Sequence, residues 1–271
     1  MKGMIKSNDL EAALDAARKG SEVIKSYEKH KVNIEYKGKH DLVTDADVAT
    51  ENKVIETLKN YFPGDEFLAE ESADREDLPD GRIWIIDPID GTTNFAYDFP
   101  VYCVSIALYE NKKPKAGVVI EVNRGEEFTA VDGGGAYLNG KKIMVSELQD
   151  PGKALLGTGF PYNDYSLIDE YFALFRSLTG IVQGIRRPGA ATYDLCCVAA
   201  GRFQGFYEYS LKAWDVAAAA LITREAGGVI SDWKGEDNWL FGQRIVAGNK
   251  GVHRFLLDEI QKNISASNLE R

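Results

Sequence analysis

Cysteine is scarce in this chain: Cys103, Cys196 and Cys197 are the three among 271 residues. The set is odd, and the sequence neighbours Cys196 and Cys197 cannot pair with each other without strain. No disulfide scaffold is expected, and a reduced, cytoplasmic protein follows. Basic charge is also in short supply. Lys and Arg number 32 against 42 Asp and Glu, leaving a net charge of −10, which argues against a general nucleic-acid binder with a basic face. Long apolar runs are missing too. No stretch approaches the ~18 apolar residues of a membrane span, and the opening residues, broken by Lys, Asp and Glu, contain no signal-peptide core. Repeats, low-complexity tracts and linkers are absent as well.

What is present is the composition of a folded globule, 44% hydrophobic and 27% charged. A chain of this length buries roughly 75% of its unfolded surface. One body over 1–271 is expected, α+β in character to about residue 145 and α/β from about 146 onward. Residues 8–29 carry Leu10, Ala13, Leu14, Ala17, Val23 and Ile24 at helical spacing, with Asn8 and Glu11 in capping-box positions. Val32–Tyr36 alternates like a strand, and a second helix is predicted from Asp45 to Tyr61, stopped by Pro63-Gly64. From Glu66 short apolar runs separated by turn signals predict a large, mainly antiparallel meander: 67–69, 83–86, 102–109, 116–122 and 127–131. Beyond it, helices are predicted at 165–178, 190–200, 214–226 and 252–264, and strands at 203–209 and 228–231.

The chemistry concentrates in Asp87-Pro88-Ile89-Asp90-Gly91-Thr92-Thr93-Asn94-Phe95. Arg82–Ile86 is a buried-strand pattern, and Pro88 pushes Asp87 toward extended backbone. Asp90-Gly91-Thr92-Thr93-Asn94 then offers capping residues for a new helix, whose free N–H groups suit an anion. Asp87 and Asp90 on one turn supply hard oxygen ligands of the kind magnesium prefers to zinc. A bare pair of aspartates at this spacing is more often an ordinary corner, so the neighbours decide. Leu68-Ala69-Glu70-Glu71-Ser72 ends another strand in acids, and Ala213-Trp214-Asp215 opens an alanine-rich helix.

Together these segments resemble the inositol monophosphatase family, with its G-E-E-S-like, D-P-I-D-G-T and W-D motifs in that order. The likeness extends to Asp41-Leu42-Val43-Thr44-Asp45-Ala46-Asp47, to Gly135-Ala136-Tyr137-Leu138-Asn139-Gly140, and to Gly201-Arg202-Phe203 with Tyr207-Glu208. The chain departs from the pattern at Ala69, Gln204 and Gly189-Ala190-Ala191, the last two touching substrate choice. The resemblance implies a layered αβαβα sandwich of the sugar phosphatase type, usually a homodimer, and sensitivity to lithium. It implies roughly two or three Mg²⁺ ions held by Glu70, Asp87, the Ile89 carbonyl, Asp90 and Asp215. Glu70 and Thr92, the latter hydrogen-bonded to Asp47, would activate a water. The Gly91 and Thr92 amides would cradle phosphate, while Asp90, Ala191 and Glu208 would meet a polyol. The implied reaction is hydrolysis of myo-inositol 1-phosphate, with fructose 1,6-bisphosphate and adenosine 3′,5′-bisphosphate as alternative substrates.

Rival motifs are weaker. Asp45-Ala46-Asp47 has the D-x-D pattern of phosphatases that form a phosphoaspartate, but it opens a helix and follows no buried strand. Cys196 and Arg202 have the spacing of cysteine-dependent phosphatases, yet the residues between them continue an apolar helix, so both cysteines read as small core residues. Gly133-Gly134-Gly135 is a tight turn, and His30, His40 and His253 are expected on the surface. A different class of role remains, that of a regulatory binding protein, because some bacterial relatives act in RNA-related processes by association.

Overall fold

A computed structural model describes residues 8–27, 34–36, 42–73, 77–160, 162 and 164–269. The opening helix α1 (Asn8–Tyr27) buries the Leu10, Ala13, Ala17 and Ile24 stripe, and α2 (Asp45–Tyr61) buries Val54 and Leu58 beside it. Between them β1 (Ile34–Tyr36) and β2 (Leu42–Thr44) form an antiparallel pair. Val32, Asn33, His30, His40 and Asp41 lie outside the described residues.

The helices cover one face of a sheet built from β3 (Glu66–Ala69), β4 (Arg82–Asp90), β5 (Cys103–Glu110), β6 (Lys113–Glu121), β7 (Glu126–Val131), β8 (Gly135–Leu138) and β9 (Lys141–Lys142), adjacent in that order. The strands are buried on both sides, which is why they read as unbroken apolar runs. Trp84 and Ile86 face α1 and α2, whereas Ile83 and Ile85 join the opposite core. Two features differ from a simple antiparallel meander. β3 runs parallel to β4, Glu66 opposite Ile83 and Ala69 opposite Ile86, so a crossover and not a hairpin joins them. β4 does not stop at Asp87; it continues to Asp90 with a register break between the two aspartates, where Pro88 offers no ladder donor. A short helix, α3 (Thr92–Ala96), follows at once.

The second sheet contains three strands outside the predicted set, β10 (Leu155–Thr158), β11 (Gly184–Arg186) and β14 (Arg244–Gly248), as well as β12 (Gly205–Tyr209) and β13 (Val229–Ser231). Its order is β11-β10-β12-β14-β13, parallel around β10 and antiparallel around β14. α5 (Ala191–Ala199) and α6 (Ala213–Glu225) fill the space between the sheets, sharing a core with Ile85, Phe128, Phe206 and Ala247. α4 (Ile168–Thr179) and α7 (Lys250–Asn263) cover the outer face, and α8 (Ala266–Leu269) follows. The layers therefore run αβαβα.

Local chemistry accounts for several details. Asn139 and Gly140 take positive φ, 49° and 74°, at the β8–β9 turn. Cys196 and Cys197 are buried within α5. His253 is buried rather than on the surface: it lies on the inner side of α7 with Nε2 2.9 Å from Ser231 Oγ, and burial lowers its pKa to about 4. Among the described residues no helix is long and apolar enough to cross a membrane.

Candidate active site

Three helix N-termini, those of α2, α5 and α6, meet acids that cap them. Asp47, in the first turn of α2, accepts from Thr44 N at 2.8 Å and Thr44 Oγ1 at 2.6 Å. Asp215, in the first turn of α6, accepts from Lys212 N at 2.7 Å. Asp90, at the end of β4, accepts from Thr192 N of α5 at 2.7 Å, and Thr192 Oγ1 donates to the Asp215 carbonyl at 2.7 Å. These bonds are caps in the ordinary sense, and the positive helix ends stabilise the carboxylates. They also draw the acids together.

Asp87 stands in their midst, 1% exposed, with Oδ1 lacking a hydrogen-bond partner among the described residues. Burial first, then the charges of Glu70, Asp90, Asp215 and Asp47, push its pKa well above the carboxylate range. Burial likewise raises Asp90 to about 6, against the pull of the α5 N–H groups, and Asp215 to about 7, with Asp90 as the next cause. Desolvation lifts Asp47 to about 6. Glu70 is placed by its N–H, which donates to Ile86 O at 3.2 Å just beyond β3.

Thr92 Oγ1 lies 3.1 Å from Asp47 Oδ1 and 2.9 Å from Ile89 O, so one hydroxyl links α2 to the β4 turn. Gly91 is held at φ 96°, and a Cβ there would come within 2.9 Å of Val101 O, so the turn requires glycine. Asn94 Nδ2 donates to Val101 O at 2.8 Å and Pro188 O at 2.9 Å, fastening α3 to the loop before α5.

Beside the acids opens a cleft of about 140 Å³ lined in part by Asp90, Ala191, Glu208 and Asp215. A Cβ on Gly159 would overlap Glu208 Oε1, so that glycine leaves room for the carboxylate. Burial raises Glu208 to about 8 despite the opposing charge of Arg187. Gln204 is elsewhere: its Oε1 accepts from Leu155 N at 2.8 Å at the start of β10, so this departure from the family pattern concerns the framework and not the cleft. Thr158, Gly159, Arg187 and Asp194 line the cleft yet lie outside every motif quoted above. Asp194 alone left a signal, an acid directly before the apolar run Leu195–Ala199.

The donor set suits a hard divalent cation: oxygen ligands only, with a buried unpartnered carboxylate oxygen among mutually repelling acids. Asp90 and Asp215 face backbone N–H groups. Among the described residues no group of three His, Cys, Asp or Glu side chains is already closed around one point.

The inositol monophosphatase family model matches residues 6–265. The chain belongs to that family. A relative named Nus factor SuhB, from Pseudomonas aeruginosa, is 42% identical over 264 residues, which cover 95% of this chain and 97% of the relative. The chloroplastic phosphatase IMPL1 of Arabidopsis thaliana is 39% identical, over 93% of this chain and 69% of its own. The solved structure of an inositol monophosphatase from Anabaena superposes with a TM-score of 0.85 at 35% identity, covering 96% of this chain and 97% of that one. Members of this family are metal-dependent phosphatases.

Proposed function

We propose that the protein hydrolyses a phosphate monoester, with myo-inositol 1-phosphate as its substrate, by direct attack of water and as a homodimer. The observation that carries this reading is the Thr92 Oγ1 to Asp47 Oδ1 hydrogen bond, 3.1 Å long, beside the unpartnered oxygen of Asp87. Glu70, Asp87, the Ile89 carbonyl, Asp90 and Asp215 would hold Mg²⁺, which supplies Lewis-acid polarisation of the phosphoryl group and lowers the pKa of water. The Ile89 carbonyl has a second lone pair free for this beside the Thr92 hydroxyl.

The residues divide the remaining work. Thr92 Oγ1 accepts a proton from the attacking water as its own passes to Asp47 Oδ1, and an Asp47 titrating at about 6 is ionised and ready at neutral pH. Glu70 orients the same water. The Gly91 and Thr92 amides hold the phosphate oxygens in a turn that glycine alone can form. Asp90, Ala191 and Glu208 bound the cleft that receives the alcohol, where Glu208, kept largely protonated at neutral pH by burial, offers its hydroxyls one O–H donor and an acceptor oxygen. No covalent phosphoenzyme forms on this path. A cleft of about 140 Å³ lies well below the ~300–1,000 Å³ typical of larger ligands, which supports a small polyol over a nucleotide.

The test is a kcat/KM panel over myo-inositol 1-phosphate, fructose 1,6-bisphosphate and adenosine 3′,5′-bisphosphate with Mg²⁺. The inositol ester is expected to lead by at least tenfold; a lead for the nucleotide would overturn the substrate. The name Nus factor carried by the Pseudomonas relative supports a second, associative role alongside catalysis.

A further inference from the structure

One buried acid in the cleft has no part in the chemistry described so far. Asp194 is 1% exposed, lines the cleft, and has an Oδ1 without a hydrogen-bond partner among the described residues. Burying a polar oxygen with nothing bound to it costs stability, so an acid in a helix whose side chains are all buried calls for an explanation.

The helix geometry aims it. Asp194 N donates to Ala190 O at 3.0 Å, which puts Asp194 one turn beyond Ala190 and Ala191 on the same face of α5. Those two residues are small and border the cleft together with Asp194.

The lining places it in the cleft. Asp194 shares the wall with Glu208, Arg187, Asp90 and Asp215, whereas Glu70, Asp47 and Asp87 are not among the residues that line this cleft. Asp90 and Asp215 are thus common to the acid cluster and to the cleft, and Glu208 and Asp194 belong to the cleft alone.

We propose that Asp194 is a specificity-determining residue whose Oδ1 binds a hydroxyl of the substrate's alcohol moiety in the cleft it shares with Glu208. The inference rests on the reading of the site as a polyol phosphatase. A polyol ester would engage this oxygen, while a phenyl ester, lacking hydroxyls, would leave it unpartnered. A site built to bond a hydroxyl discriminates strongly against analogues without one, because its own polar group is then stranded.

The experiment compares the wild type with Asp194→Ala and Asp194→Asn on myo-inositol 1-phosphate and phenyl phosphate, with Mg²⁺ and with thermal unfolding as a control. Asp194→Ala is expected to lower the inositol-to-phenyl ratio of kcat/KM at least ~10-fold, the loss falling on KM for the inositol ester and not on its kcat. Asp194→Asn keeps an acceptor oxygen in place and is expected to recover most of that ratio. Since each variant removes a buried unpaired acid, the unfolding temperature should hold or rise, by about 2–4 °C for each kcal/mol gained.

An unchanged ratio in Asp194→Ala would overturn the proposal. So would an equal loss on both esters accompanied by a lower unfolding temperature, which would make Asp194 part of the framework. The wild-type measurements judge the underlying reading separately. Preference for a different hydroxylated ester would replace the substrate but leave Asp194 to be judged on that ester. A wild type without preference for any hydroxylated ester over phenyl phosphate would overturn both.

Discussion

The carboxylate of Asp87 is buried, unpartnered at Oδ1 and surrounded by Glu70, Asp90, Asp215 and Asp47, so stability and function oppose each other at this residue. Replacing it by Asn removes the charge at nearly constant volume. In the presence of chelator, Asp87→Asn is expected to unfold at a higher temperature than the wild type, about 2–4 °C for each kcal/mol of relieved repulsion. Phosphatase turnover is expected to fall at least ~100-fold, because an amide does not supply the charge that a divalent cation requires. Calorimetry and a phosphate-release assay check the two halves. A lower unfolding temperature together with lost turnover would make Asp87 a structural residue. At this scale the motifs named acids that the fold gathers, since Glu70, Asp90, Asp215 and Asp47 all act on Asp87. They did not reach Asp194 or Arg187, whose importance comes from a cleft assembled by β10, β12 and α5, or the burial of His253, which depends on Ser231 across the second sheet.

Elements bring these residues together through caps. Asp47, Asp90 and Asp215 satisfy the first turns of α2, α5 and α6, so reading each as a helix cap and reading it as a site residue are compatible. α1, α2 and α6 were legible because their apolar spacing persists over several turns. β10, β11 and β14 were not: Gly157 breaks the first, the second offers Ile185 as its one apolar residue, and the third has three apolar residues in a row without alternation. The parallel direction of β3 is also invisible locally, because it depends on where the chain returns after residue 81. α6 must be seated closely to present Asp215, and its contact with β6 allows no side chain at Gly117: a Cβ there would lie 2.8 Å from Ala218 O. Gly117→Ala is therefore expected to destabilise the fold by about 1–3 kcal/mol. It should also lower kcat/KM, as α6 moves Asp215 away from Asp87. Denaturant unfolding and steady-state kinetics check this; wild-type values in both would show that the layer yields without moving the site.

For the whole molecule, the buried acids set how stability depends on pH. Asp47 and Asp90 titrate at about 6, Asp215 at about 7 and Glu208 at about 8 in the folded state, all above ordinary carboxylates. Between about pH 4 and 8 the folded chain consequently binds more protons than the unfolded one at these groups. Their contribution is fully present below the unfolded pKa and is lost as pH rises through the folded values. His253 acts in the opposite sense: its folded pKa of about 4 means that its contribution is present above about 6.5 and is lost as pH falls toward 4. One histidine is outweighed by the carboxylates. In chelator the unfolding temperature is expected to be lower at pH 8 than at pH 6 by ~5 °C or more. Mg²⁺ should reverse this order, because ligands already deprotonated at pH 8 bind it without displacing protons. Scanning calorimetry at the two pH values, with and without Mg²⁺, decides the matter. Mg²⁺ stabilisation that is no larger at pH 8 than at pH 6 would separate the acid cluster from cation binding and remove the physical basis of the metal site.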